Sequence, residues 1–181
     1  MFSESYSDDD RKSRVEEDLG SVLDKVISAQ SIKLVSGKDL SSNPLVYEVK
    51  FNINEKPQTV GSLKLTQIPI LIKPYTKNLI ALENRKSEID YVQYENINQY
   101  AEEIIINIPA NSKFTEIPEN KELTYKKHKY SIKYELISPN KLKITKLANP
   151  SWENVSVSEY PEFKKFASEV IQAEEQIIAY K

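Results

Sequence analysis

Residues 45–53 read Leu45-Val46-Tyr47-Glu48-Val49-Lys50-Phe51-Asn52-Ile53. Leu45, Tyr47, Val49, Phe51 and Ile53 occupy every second position, and Val46, Glu48, Lys50 and Asn52 fill the gaps. Successive strand side chains point to opposite faces of a sheet, so the stretch reads as a half-buried strand with one wet face. The same period returns at Tyr130, Ile132, Tyr134 and Leu136, alternating with lysine, serine and glutamate. Pro139-Asn140 then makes a turn, and Leu142 and Ile144 form the partner strand of a hairpin.

Working outward, Ile68–Ile72 and Ile104–Ile108 are apolar runs without clean alternation, which suggests central strands. Pro69 pushes the first of them towards an edge or a bulge. Prolines at 44, 57, 69, 74, 109, 118, 139, 150 and 161 punctuate the chain at intervals suited to strands and turns. Such spacing leaves little room for the crossover helices of parallel sheets. The fold class that follows is α+β: a predominantly antiparallel β-sandwich or barrel-like sheet with an amphipathic helix near each terminus.

The first helix is expected over Ser13–Ala29, with Val15, Leu19, Val22, Leu23, Val26 and Ile27 as its apolar stripe. Ser13 and Glu16 read as a capping box, and Asp8, Asp9 and Asp10 suit the positive end of the helix dipole. Gly20 counts against a straight helix by about 1 kcal/mol relative to alanine. The second helix is expected from Pro161, a favoured first helical position. Phe163, Phe166, Ala167, Val170 and Ile171 form its buried stripe, while Glu162, Lys164, Lys165 and Glu169 face water. Gln176–Tyr180 reads as a short final strand. With no internal repeat and no low-complexity linker, residues 1–30 read as a linker and N-terminal helix, and residues 31–181 as an antiparallel β domain carrying the C-terminal helix.

Bulk properties narrow the function. The chain has 181 residues, 25 basic and 27 acidic, for a net charge of -2. A chain of this size buries roughly 70% of its unfolded surface, so it needs no disulfide or metal to fold. Balanced charge without a basic face argues against nucleic acid as a partner, and only Arg11, Arg14 and Arg85 offer a guanidinium. No apolar run approaches the ~18 residues of a membrane span. Met1–Asp10 carries an acidic cluster and no apolar core, and does not read as a signal peptide.

The chemistry-bearing residues are few. Cysteine is absent, which removes thiol nucleophiles, thiolate metal sites and disulfides together. His128, the only histidine, stands among Lys126, Lys127 and Lys129 without a nearby carboxylate, so it reads as a solvent-facing strand residue rather than a base. One histidine without cysteine does not make an ordinary zinc site. The paired acids Glu102-Glu103 and Glu174-Glu175 read as solvated charge, because neighbouring side chains diverge on strand and helix alike. Glycines at 20, 37 and 61 build no phosphate-cradling loop. No catalytic residue, metal site or cofactor is therefore expected. Tyr91, Tyr94, Tyr100 and Trp152 could form a platform that stacks on a glycan or peptide. Tyrosine also simply suits half-buried strand positions.

Five phrases together resemble a known family. They are Asn84-Arg85-Lys86-Ser87-Glu88-Ile89-Asp90-Tyr91, Ile104-Ile105-Ile106-Asn107-Ile108-Pro109, Glu116-Ile117-Pro118, Glu159-Tyr160-Pro161-Glu162-Phe163-Lys164-Lys165-Phe166, and Gln176-Ile177-Ile178. In order and spacing they resemble the uncharacterised domain that follows the transglutaminase-like, papain-like domain in exported proteins of Gram-negative bacteria. Glu88 stands where that family carries proline. The resemblance spans roughly residues 30–181, and Arg11–Ala29 looks like the linking helix after the catalytic domain. It implies a periplasmic or cell-surface location and, as partner, a preceding domain that holds the cysteine, histidine and aspartate of the triad. The expectation is a monomeric, non-catalytic accessory domain packing on or positioning a transglutaminase-like protease or amidase. The alternative is a β-sandwich module binding a glycan or peptide.

Overall fold

The computed structural model describes residues 7–36, 46–54, 56–90, 99–151 and 153–181. The chain divides into two compact units, Met1–Lys56 and Pro57–Lys181. A boundary after residue 30 would cut through a strand that is hydrogen-bonded within the first unit.

In the first unit, helix α1 (Asp8–Leu23) precedes an antiparallel pair, β1 (Ile27–Ser36) and β2 (Val46–Ile53). The helix starts a turn and a half earlier than Ser13. Ser7 is its cap: Asp10 N–H donates to Ser7 Oγ at 3.1 Å, and the Asp10 carboxylate takes the Ser7 N–H at 3.2 Å. Glu16, expected to cap from inside the helix, instead accepts the Ala29 N–H at 2.8 Å. That N–H lies where β1 shifts register against β2, between Ala29 and Ser31. The helix also stops short of Ala29. Asp24 turns left-handed (φ 52°), and the Lys25 N–H folds back to the Gly20 carbonyl at 3.1 Å. A Cβ on Gly20 would meet the Lys25 carbonyl oxygen at 3.0 Å, so this glycine permits the helix to end here. Ile27 and Ala29 are buried on β1 rather than on the helix, and Val26 is exposed. β2 keeps the alternation read from sequence as far as Asn52, with Tyr47, Val49 and Phe51 half-buried and Glu48, Lys50 and Asn52 exposed, while Ile53 at its end is exposed instead of inward. Leu45 lies outside the described residues.

The second unit carries two four-stranded antiparallel sheets. One has the order β3-β4-β10-β6, from Gln58–Val60, Leu63–Gln67, Ile177–Tyr180 and Phe114–Glu116. Gly61, at φ 60°, turns β3 into β4. The other has the order β5-β9-β8-β7, from Tyr100–Asn107, Lys141–Asn149, His128–Ser138 and Lys121–Tyr125. β8 and β9 are the expected hairpin, with Tyr134 opposite Ile144 and Leu136 opposite Leu142, but Leu136, beside a register shift, is exposed rather than on the inward row. Helix α2 (Tyr160–Glu174) packs on β7 and on a short 3-10 helix, Lys77–Ile80. The carboxylate of Glu159 organises its start, taking the Ser156 N–H and Oγ at 3.1 and 2.9 Å and the Lys126 ammonium. The predicted stripe Phe163, Phe166, Ala167, Val170 and Ile171 is buried. It joins Tyr130, Ile132, Leu142, Ile144, Phe114 and Ile178 in one core. The protein is thus α+β, mainly antiparallel sheet with a helix near each end.

Two runs expected as central strands are not. Ile104–Asn107 belongs to β5, which among the described residues pairs with β9 alone and so lies at an edge of its sheet, and Ile108 follows its end. Its faces alternate after all, Ile104 and Ile106 inward and Ile105 outward. Ile68–Ile72 forms no strand. The Ile70 N–H bonds back to the Ile68 carbonyl across Pro69, and a side chain rather than a neighbouring strand satisfies the next two amides.

Candidate functional site

Two polar constellations lie inside the second unit, and both involve residues that sequence reading placed in solvent. The first centres on His128, the opening residue of β8, which is 3% exposed. Its side chain points the same way as Tyr130 and Ile132, into the core. Rings of Tyr75, Tyr125, Phe163 and Phe166 surround it, with centroids 5.5–5.9 Å away. Nδ1 lies 3.2 Å from the Ser151 backbone N–H and 2.8 Å from the Tyr75 hydroxyl. An amide can only donate, so Nδ1 is the acceptor and the ring proton sits on Nε2. Burial drives the imidazole pKa down to about 4. The Nδ1 lone pair is thus directed at the Ser151 amide of the protein's own backbone.

The second constellation is a buried lysine between two carboxylates. Lys146 stands on the inner face of β9, continuing the row Leu142, Ile144, Lys146, Ala148, and is 1% exposed. Glu102 is its direct cross-strand partner on β5. The Nζ–Oε2 distance is 2.9 Å. Glu174, the last residue of α2 and also 1% exposed, brings Oε1 to 3.0 Å from the same ammonium. Among the described residues, no other group donates a hydrogen bond to Oε1. Lys146 also donates to the Ile72 carbonyl, while Glu102 Oε1 accepts the Leu71 and Ile72 N–H groups at 2.9 and 3.2 Å. The cluster thus satisfies the backbone of the irregular Ile68–Ile72 segment. Burial raises the Glu174 pKa against the opposing pull of Lys146. Burial, then the charge of Glu174, raises that of Tyr130, whose buried hydroxyl has no hydrogen-bond partner among the described residues. A cleft of about 250 Å³ opens beside Glu174, between Lys73, Thr76, Lys77, Asn78 and Glu175.

The divergence of adjacent acids holds as geometry, but its consequence differs from expectation. Glu103 faces out to Lys143 at 2.7 Å and Glu175 to Lys77 at 2.6 Å, whereas Glu102 and Glu174 face in. Of the expected stacking platform, Tyr91, Tyr94 and Trp152 lie outside the described residues. Tyr100 opens β5, half-buried and packed against the core. Among the described residues, no group of three or more histidines or carboxylates is placed to hold a metal ion.

What these features define is a β-rich domain in which His128, Lys146 and Glu102 are turned inward and bond its own backbone. The family known as DUF3858, a domain of unknown function, matches residues 64–180, well over half of the chain. The chain belongs to that family. Comparison with the curated proteins and with the solved structures finds no significant match.

Proposed function

We propose that the chain is a non-catalytic accessory domain of an exported bacterial protein, positioning a transglutaminase-like protease or amidase domain that precedes it. The observation that carries this reading is the state of its one histidine. His128 Nδ1 accepts from Ser151 N–H and faces the Tyr75 hydroxyl, within an aromatic shell, so it is committed to structure. The order of the family phrases supports the preceding partner, and with it a periplasmic or cell-surface location. Unit Met1–Lys56 would be the junction, since a helix and two strands leave Tyr47, Val49 and Phe51 only half-buried. A small unit of this kind gains stability from a neighbour.

The test is hydrogen exchange on the full-length parent and on this chain alone. Amides of Val15–Leu23 and of β2 exchange more slowly in the parent. Equal protection in both would remove the docking role. Peptidase, transamidation and glycosidase assays on the chain alone give background rates.

A further inference from the structure

We infer that Lys146 and Glu102 become joined by an amide bond between Nζ and Cδ, formed by the folded protein itself with Glu174 carrying the protons. Nothing in the accessory role requires this bond, and it stands or falls separately.

The argument begins with placement. Glu102 and Lys146 are register partners on adjacent strands, and Nζ already lies 2.9 Å from an oxygen one bond away from Cδ. Holding reactants at contact distance removes the entropic barrier that makes amine–acid condensation slow in water. Electrophile activation is also built in. Glu102 Oε1 receives two backbone N–H groups, from Leu71 and Ile72, converging on the oxygen that becomes negative when nitrogen adds to Cδ. Such paired donors stabilise a tetrahedral oxyanion. The irregular course of Ile68–Ile72 around Pro69 is what aims them.

The proton carrier is the third part. Glu174 Oε1 sits 3.0 Å from Nζ and, among the described residues, receives no hydrogen bond from any other group. It takes one proton from the ammonium and delivers it to Glu102 Oε2, leaving a neutral amine and a neutral acid. The nitrogen lone pair adds to Cδ, and the π electrons move onto Oε1. Glu174 then moves a second proton from nitrogen to Oε2. The Cδ–Oε2 bond breaks, water departs, and the pair on Oε1 restores the carbonyl. Two protons and one oxygen leave as water, Glu174 ends as it began, and no other reagent is needed.

Burial supplies the direction. In water this condensation is opposed because both groups are ionised there. At this site the Lys146 side chain is 1% exposed and the Glu102 side chain 9%, and an ion pair largely out of water is opposed by desolvation. The amide is neutral and needs no hydration. The cleft beside Glu174 gives the product water a way out.

Intact-mass measurement on the purified wild-type chain, denatured before injection, decides the matter without relying on any variant to fold. The expected mass is lower than the sequence mass by one water. Tryptic digestion is expected to leave the bond after Lys146 uncut, in a branched peptide carrying Glu102. A wild-type chain at full sequence mass, cleaved normally after Lys146, would overturn the proposal. Glu102→Ala has its full sequence mass, and loss of water persisting in that variant would place the condensation elsewhere and overturn it equally. Glu174→Gln, scored once circular dichroism shows wild-type sheet signal, retains full mass. Water loss there would refute the part given to Glu174.

Discussion

The buried imidazole of His128 gives the protein an acid-sensitive term whose size follows from the structure. In the unfolded chain a histidine titrates near pH 6.5, whereas in the fold burial holds His128 to about 4. Above pH ~6.5 the ring is neutral in both states and contributes nothing to pH dependence. Below it the unfolded chain takes up a proton that the folded chain refuses, so stability falls as pH falls and levels off below about 4. At about 1.4 kcal/mol per pKa unit, the full loss is about 3 kcal/mol. Glu174 acts in the opposite sense. Its raised pKa means that the fold holds a proton better than the unfolded chain, so it adds stability as pH falls through the carboxylate range. The comparison must therefore be between proteins that share Glu174. His128→Asn does not titrate and keeps a side-chain oxygen near Nδ1 to accept from Ser151. Urea unfolding, followed by near-ultraviolet circular dichroism of the tyrosines, gives the unfolding free energy of each protein from about pH 7.5 to about pH 4. Wild type is the more stable at neutral pH, since the variant leaves a void among four rings. That advantage shrinks by about 3 kcal/mol over the acid range. Parallel pH curves for the two proteins would refute the assignment of a neutral, proton-refusing ring.

Further outcomes are expected in the helices and in metal dependence. Phe163→Ala and Phe166→Ala each cost about 3–5 kcal/mol in urea unfolding because they empty the core beneath α2, while exposed Lys165→Ala leaves the curve unmoved. Ser7→Ala weakens helix α1 by about 1 kcal/mol, whereas Ser13→Ala, which caps nothing, does not; equal effects would put the helix start back at Ser13. The thermal transition is unchanged by EDTA, and a large downward shift would reveal a metal held in the fold.

Much of the fold was readable because period-two and helical patterns report one thing, which side of an element meets the core. β2 up to Phe51, β8 up to Tyr134, β9 and the stripe of α2 follow that rule, whereas the final strand is buried on both faces from Ile178 to Tyr180. The misses at His128 and at the paired acids share a cause: neighbours along the chain are not the neighbours in space. Lys126, Lys127 and Lys129 flank His128 along the chain, but its actual surroundings are Tyr75, Phe163 and Phe166, from distant segments. The signal was present, since His128, Tyr130, Ile132 and Tyr134 share one alternation. Extending the row Leu142, Ile144 by one step likewise puts Lys146 inside, and Tyr100, Glu102, Ile104 puts its partner there. What no local pattern could supply is the irregular path of Ile68–Ile72. Its amides are satisfied by Glu102, thirty residues on, and that pairing exists only once β5 and β9 have met.

The seat of β10 has a consequence for how the protein comes into being. Residues 177–180 lie between β4 and β6, so the two flanking strands never touch each other. A ribosome extrudes the chain from its N-terminal side. The β3–β4 hairpin and β6 are therefore both outside the exit tunnel, each with a bare edge, well before the strand that joins them. Until Tyr180 emerges, that sheet is two fragments, and pairing across so long an interval is intrinsically slow. During this interval the nascent chain offers open strand edges to any chaperone or transport factor that holds polypeptides unfolded.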